Sequence, residues 1–126
     1  MNPQDFLQTA NKLSSSEYEA DMRSAISRAY YAALHTAYNA LPDDRKPDLK
    51  AHDSSTHNKV IGAYDGWYRK VLGEKRTDRR LIKELLISIK NHRKKADYEL
   101  DTVIKNDDVR DSLHQAKTLI DMAIAL

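Results

Sequence analysis

Apolar residues recur at steps of three and four along nearly the whole chain, and that spacing gathers them on one side of a helix with 3.6 residues per turn. A strand, whose faces alternate at every second residue, cannot use the pattern. Three glycines and three prolines in 126 residues leave few places to interrupt a helix. The expected fold class is therefore all-α with no strand, a four- to five-helix up-and-down bundle joined by short connections. The length suits a single domain over residues 1–126, large enough to bury one core without staples.

The boundaries follow from local chemistry. A first helix opens at "NPQD", with Asn2 as cap, Pro3 in the first turn and Asp5 near the positive end of the dipole, and it buries Phe6, Leu7, Ala10 and Leu13. Ser14 with Glu17 offers a capping box for a second helix, which runs to about Leu41 and stops at "PDDRKPD". A third helix is expected from about Ser55 to Leu72, with His57, Ile61, Tyr64, Tyr68 and Leu72 on one face and Gly73 as the stop. A fourth runs from about Thr77 past Tyr98. A fifth is capped by Asn106 and turns Val109, Leu113, Ala116, Ile120 and Ala123 inward.

Several kinds of chemistry are disfavoured at once. There is no cysteine, so neither a disulfide framework nor a thiolate metal site can form, and no carboxylate–histidine cluster has convincing metal spacing. No glycine-rich phosphate loop occurs, so no metal or cofactor is expected. No apolar run approaches membrane-spanning length, and "MNPQDFLQTA" lacks a basic segment followed by an apolar one, so a cytoplasmic protein with no membrane partner is expected. The formal net charge of +2 gives little whole-molecule steering toward nucleic acid, so any polyanion site must be local. Basic residues do gather in "RKVLGEKRTDRRLIK" (69–83) and "KNHRKK" (90–95), read either as a patch or as a solvated face with ordinary ion pairs.

The second helix carries two stripes. Met22, Ile26, Ala29, Ala33, Ala37 and Ala40 line one side, small enough for neighbouring helices to come close, and Arg28, Tyr31, His35 and Tyr38 line another. The second stripe reads either as a surface whose tyrosines bury rings and hydrogen-bond at their tips, or as a functional site. The fourth helix carries an apolar stripe of Ile82, Leu85, Leu86, Ile89, Ala96, Leu100 and Val103, with Arg93 in its middle. A guanidinium cannot shed its charge, so Arg93 must be paired or must reach a cleft. Asp97, one turn on, can accept from it, with His35 or a tyrosine completing the set. Two readings stand: a structural Arg93–Asp97 pair, or a cation held ready for phosphate.

"SRAYYAALHTAYNAL", then "THNKVIGAY", then "RKKADYEL" resemble the prokaryotic HEPN domain family, in which an RAYYA…H helix, a TH-K-V helix start and an R-x-x-ADY helix occur in that order. The likeness covers residues 22 to about 100. It implies a compact helical bundle, usually a homodimer, working on RNA or nucleotides, often beside a nucleotidyltransferase antitoxin in toxin–antitoxin or phage-defence systems. Ribonuclease members of the wider family carry an Arg, four to six residues, then a His. After Arg93 that spacing meets Tyr98, Glu99 and Leu100, whereas literal matches fall at Arg28 to His35 and Arg45 to His52. Arg28 and His35 share a stripe, so they are the preferred pair.

If RNA is cleaved without metal, the resemblance assigns His35 as general acid/base and Arg28 and Arg93 to the scissile phosphate, with Tyr31, Asp97 or Tyr98 helping to bind substrate. His57, facing inward at the start of the third helix, reads either as a second proton carrier or as a histidine hydrogen-bonded near a cap. His92 and His114 read as surface histidines. By analogy with family members, Tyr31, Tyr38 or Tyr98 is a candidate nucleotidylation target. The competing expectation is a non-catalytic helical module that holds nucleotide or RNA for a nucleotidyltransferase or another defence protein.

Overall fold

The computed structural model describes residues 1–51 and 55–126. Five α-helices and one short 3₁₀ turn at Asp43–Arg45 make up the described regular structure: α1 (Pro3–Leu13), α2 (Glu19–Ala40), α3 (Thr56–Lys70), α4 (Arg76–Tyr98) and α5 (Asn106–Ile124). This is the all-helical bundle that the three-four periodicity requires.

At the start of α1 the Asp5 carboxylate accepts the Asn2 backbone N–H at 3.0 Å, and Pro3 occupies the first turn, where its missing N–H costs nothing. The Ser14–Glu17 box is not used, because Ser14 ends α1, its N–H bonding back to the Ala10 carbonyl. Ser16 takes over instead: its hydroxyl accepts from the Tyr18 N–H and donates to Asp21 in the first turn of α2 at 2.6 Å. Ser55 caps α3 by accepting the Asn58 N–H. That helix ends at Lys70, so Gly73, at φ +130°, belongs to the connector rather than to the cap. At the head of α5 the capping position is Lys105, whose N–H bonds to Asp108, and Asn106 is the first helical residue.

Contacts fix the directions. Phe6 lies against Tyr31 and His35 while Leu13 packs near Met22 and Ile26, so α1 and α2 are antiparallel. Lys90 with Asn58 and Lys83 with Asp65 set α3 against α4, and His92 with Ser112 and Ser88 with Gln115 set α4 against α5. Tyr30 meets His57 and Tyr64 meets the Ala37 carbonyl at one constant offset, so α2 and α3 run in the same sense. The connector 41–55 returns the chain between them.

Helix α2 is central and packs on all four others. Its buried set, Met22, Ala25, Ile26, Ala29, Tyr30, Ala32, Ala33, Leu34, Thr36 and Ala37, covers most of its circumference and not a single stripe. Alanines are what make this possible, since side chains one carbon long let several helices approach one axis. On α3 the buried line is Val60, Tyr64 and Trp67, while Leu72 is exposed. On α4 the apolar stripe holds from Ile82 to Ala96 and then ends: Leu100 and Val103 lie beyond the helix and are exposed, because the chain turns away after Tyr98.

Candidate functional site

Arg93 occupies the anomalous position that the sequence marks, with its side chain 13 % exposed where α4 faces α2. Its Nε donates to Asp97 Oδ2 at 2.9 Å, and its Nη2 donates to the phenol oxygens of Tyr31 at 3.1 Å and Tyr98 at 3.2 Å. Ser27 donates to the same Asp97 oxygen at 3.2 Å. The guanidinium carbon also sits 5.8 Å from the Tyr30 ring centre, 5.6 Å from that of Tyr31 and 5.2 Å from that of Tyr98, so aromatic faces surround the cation. Burial works against the charge, but the Tyr31 and Tyr98 oxygens and Asp97 outweigh it and hold the guanidinium more firmly protonated than usual. No described residue engages Nη1.

The first turn of α3 adds the second half of the cluster. His57 Nδ1 is hydrogen-bonded to the Tyr30 hydroxyl, and their rings lie 5.3 Å apart. Burial lowers the His57 pKa below its ordinary value, and the neighbouring positive charges of Arg93 and Lys90 lower it further, so the imidazole is neutral near pH 7. Burial raises the Tyr30 pKa well above the usual phenol range, so its proton stays in place. A hydroxyl that keeps its proton can turn to donate or accept, and either imidazole tautomer is then supported. Lys90, one turn before Arg93, donates to Asn58 at 3.0 Å, a neutral partner that leaves its charge uncompensated.

The residues singled out from the sequence separate into two groups. Arg93, Asp97, Tyr31, Tyr98 and His57 come together between α2, α3 and α4. Arg28 and His35 meet elsewhere: both are exposed and share Phe6, on which the His35 ring stacks at 5.7 Å and over which the Arg28 guanidinium sits at 5.9 Å. His35 also edges a groove of about 240 Å³ lined by Met1, Asn2, Pro3, Phe6 and Asn39. Tyr31, 6.4 Å from the His35 ring, is the shared neighbour of the two groups. Arg93 thus finds its partners in tyrosines rather than in His35. Tyr38 lies under Lys46 instead of in either group. The Arg45–His52 match falls partly outside the described residues. His92 is half-buried and hydrogen-bonded to Ser112 at 2.8 Å, not on the surface as expected, while His114 is exposed.

Tyr30 and Ser27 are not singled out as site residues by the sequence, and Lys90 is marked only as the first residue of the basic run 90–95. Tyr30 stands in phase with Ile26, Ala33 and Ala37, so periodicity already placed it on the packing side. Lys90 lies seven residues from Lys83 on the side of α4 that reaches α3. Ser27 carried no signal beyond its nearness to Arg28. Among the described residues no group of three histidines, cysteines or carboxylates could hold a metal ion, and no helix is long and apolar enough to cross a membrane.

A five-helix bundle with a partly buried arginine and a neutral histidine joined through tyrosines is the class of protein that fold and site define. Comparison of the chain with protein-family models, curated proteins and solved structures finds no match.

Proposed function

We propose that this is a HEPN-like protein of a prokaryotic toxin–antitoxin or phage-defence system that acts on RNA, holding a phosphate at Arg93 and cleaving the strand without metal. The observation that carries this reading is the Arg93 guanidinium, held by Asp97, Tyr31 and Tyr98 with Nη1 unengaged by any described residue, beside the His57 imidazole that is hydrogen-bonded to Tyr30. In the cleavage step, His57 with Nδ1–H turned to Tyr30 accepts the 2′-hydroxyl proton at Nε2. The 2′-oxygen then attacks phosphorus while Arg93 and Lys90 offset the growing negative charge, the bond from phosphorus to the 5′-oxygen breaks, and the 5′-oxygen takes a proton from water, giving a cyclic phosphate.

A second reading is favoured by one observation: among the described residues His57 is the single imidazole in the cluster, whereas cleavage needs an acid as well as a base. A non-catalytic module that holds RNA or nucleotide for a nucleotidyltransferase or another defence protein requires no second proton carrier. A homodimer, as the family resemblance implies, would bring a second set of groups. Incubating the protein with labelled single-stranded RNA in EDTA separates these readings. Cleavage to cyclic phosphate ends, lost by roughly 100-fold or more in His57→Gln and Arg93→Gln, supports the enzyme. Loss in His35→Ala with His57→Gln still active would transfer the proton to His35. Binding without cleavage supports the second reading, and neither binding nor cleavage removes RNA from both.

A further inference from the structure

The corner where α3 meets α4 gathers cations that the Arg93 cluster does not use. From residue 69 to 83 there are seven (Arg69, Lys70, Lys75, Arg76, Arg79, Arg80 and Lys83). The carboxylates of that corner are four, Asp65, Glu74, Asp78 and Glu84, so its excess of three exceeds the +2 of the whole chain. Tyr68 is its centre: Arg69, Arg76 and Lys83 stand 5.2, 5.4 and 5.2 Å from the ring centre. Asp65 is shared between Arg69 at 2.9 Å and Lys83 at 3.1 Å, and one carboxylate cannot neutralise two cations. Arg76 bonds to the Tyr68 carbonyl and has no described carboxylate partner. Behind them Arg79 is buried over Trp67 at 4.5 Å; its Nη1 donates to the Val71 carbonyl, and among the described residues its Nε has no partner and it forms no ion pair with a carboxylate.

From this corner a line of cations leads to the candidate site. Arg76, Lys83 and Lys90 are spaced by seven, so they fall on one side of α4 about 10 Å apart. Lys83 and Lys90 both reach across the seam to α3, at Asp65 and Asn58. Lys90 is also close enough to depress the charge on His57. A row of point charges at this interval, beginning at an aromatic ring and ending at the Arg93 guanidinium, complements a phosphodiester backbone. The notch between Tyr68, Arg76, Thr77 and Arg80 is about 30 Å³, room for a phosphate oxygen but not for a base.

We infer that the α3–α4 seam is a track for single-stranded RNA, along which the backbone runs from Tyr68 and Arg76 over Lys83 and Lys90 to Arg93. The track rests on the reading of the Arg93 cluster as an RNA site and adds the path by which the strand reaches it. Contact through phosphates makes binding independent of sequence and strongly dependent on salt.

The test is fluorescence anisotropy of a 5′-labelled single-stranded oligouridylate titrated with the intact protein at several salt concentrations, with folding checked by circular dichroism. Arg76→Gln and Lys90→Gln should each weaken binding about fivefold at 0.1 M salt and reduce the slope of log affinity against log salt by about 0.7, the contribution of one phosphate contact. If Arg93→Gln loses binding while both other variants retain wild-type affinity and slope, the track is wrong and the cluster stands. Losses in Arg76→Gln and Lys90→Gln with none in Arg93→Gln would support the track and remove its end point at the cluster. Displacement of the RNA by polyglutamate at equal charge concentration would overturn the assignment to RNA in favour of an acidic protein partner. A wild-type protein that binds no RNA at all fails both readings together.

Discussion

Arg93 and His57 answer one difficulty, an ionisable group beneath the surface, in opposite ways. The guanidinium keeps its charge because Asp97 and two phenol oxygens replace its water; the imidazole pKa is lowered first by burial and then by the positive charges of Arg93 and Lys90. Replacing Arg93 by Gln leaves the Asp97 carboxylate without its ionic partner and should cost about 1–3 kcal/mol of stability by chemical denaturation. Arg93→Lys should recover only part of this, since an ammonium on a flexible stem cannot hold Asp97 and both tyrosines at once. His57 gives a prediction in pH. Its folded pKa lies below the unfolded value of 6.5, so below that pH the unfolded chain takes up a proton that the folded one refuses. Its contribution is therefore complete above about pH 6.5 and is lost as pH falls toward the lowered folded value. Thermal melts between pH 8 and 5 should decline more steeply for the wild type than for His57→Gln, by less than about 1.4 kcal/mol per pH unit.

Among the helices, α4 carries both the candidate site and the proposed track, and its far end is held by a residue of α2. Arg23 Nη1 donates to the carbonyls of Lys95 (3.2 Å), Ala96 (2.8 Å) and Glu99 (3.2 Å), while its Nη2 bonds to the carbonyls of Leu100 and Thr102. Glu19 pairs with the same guanidinium at 2.9 Å and accepts the Ile104 N–H. The last carbonyls of a helix lack intrahelical donors and carry its negative dipole end, so a cation there satisfies both needs. Arg23→Ala should lower stability by about 2 kcal/mol, with early amide exchange confined to residues 99–105. Because Asp97 and Tyr98 form the last turn of α4, directly before the segment being released, the same change should weaken any ligand held at Arg93. Arginine 23 had no sequence signal, since nothing in its spacing announces that its partners are carbonyls more than seventy residues away.

At the level of the whole molecule, α2 is an axis on which the other four helices pack, and it tolerates them because half of its ten buried positions are alanine. Enlarging one of these should disturb all the layers together. Ala33→Leu is expected to cost about 1–3 kcal/mol by overpacking. The unfolding curve followed by Trp67 fluorescence on α3 should shift together with that followed by helical circular dichroism, as a single cooperative core requires. The bundle, its helix count and most helix limits were legible in the chain because they depend on local periodicity and on breakers such as "PDDRKP". Arg93 and Asp97 were legible too, one turn apart on one helix. The spacing of His57 fits both a proton carrier and a histidine bonded near a cap, and nothing in the chain marks Tyr30 as its partner, since Tyr30 falls among the packing residues of α2.

Spacing by itself determined which residues share a face of one helix, because side-chain direction repeats with the 3.6-residue turn. It therefore paired Arg28 with His35 and Arg93 with Asp97. Only the tertiary structure decided which faces meet. It set α3 parallel to α2, bringing Tyr30 onto His57, and it set Tyr31 rather than His35 against Arg93. The reason is physical: partner choice between helices depends on how side-chain volumes allow them to approach and on the sense in which the 41–55 connector returns the chain, and neither is a property of any single helix.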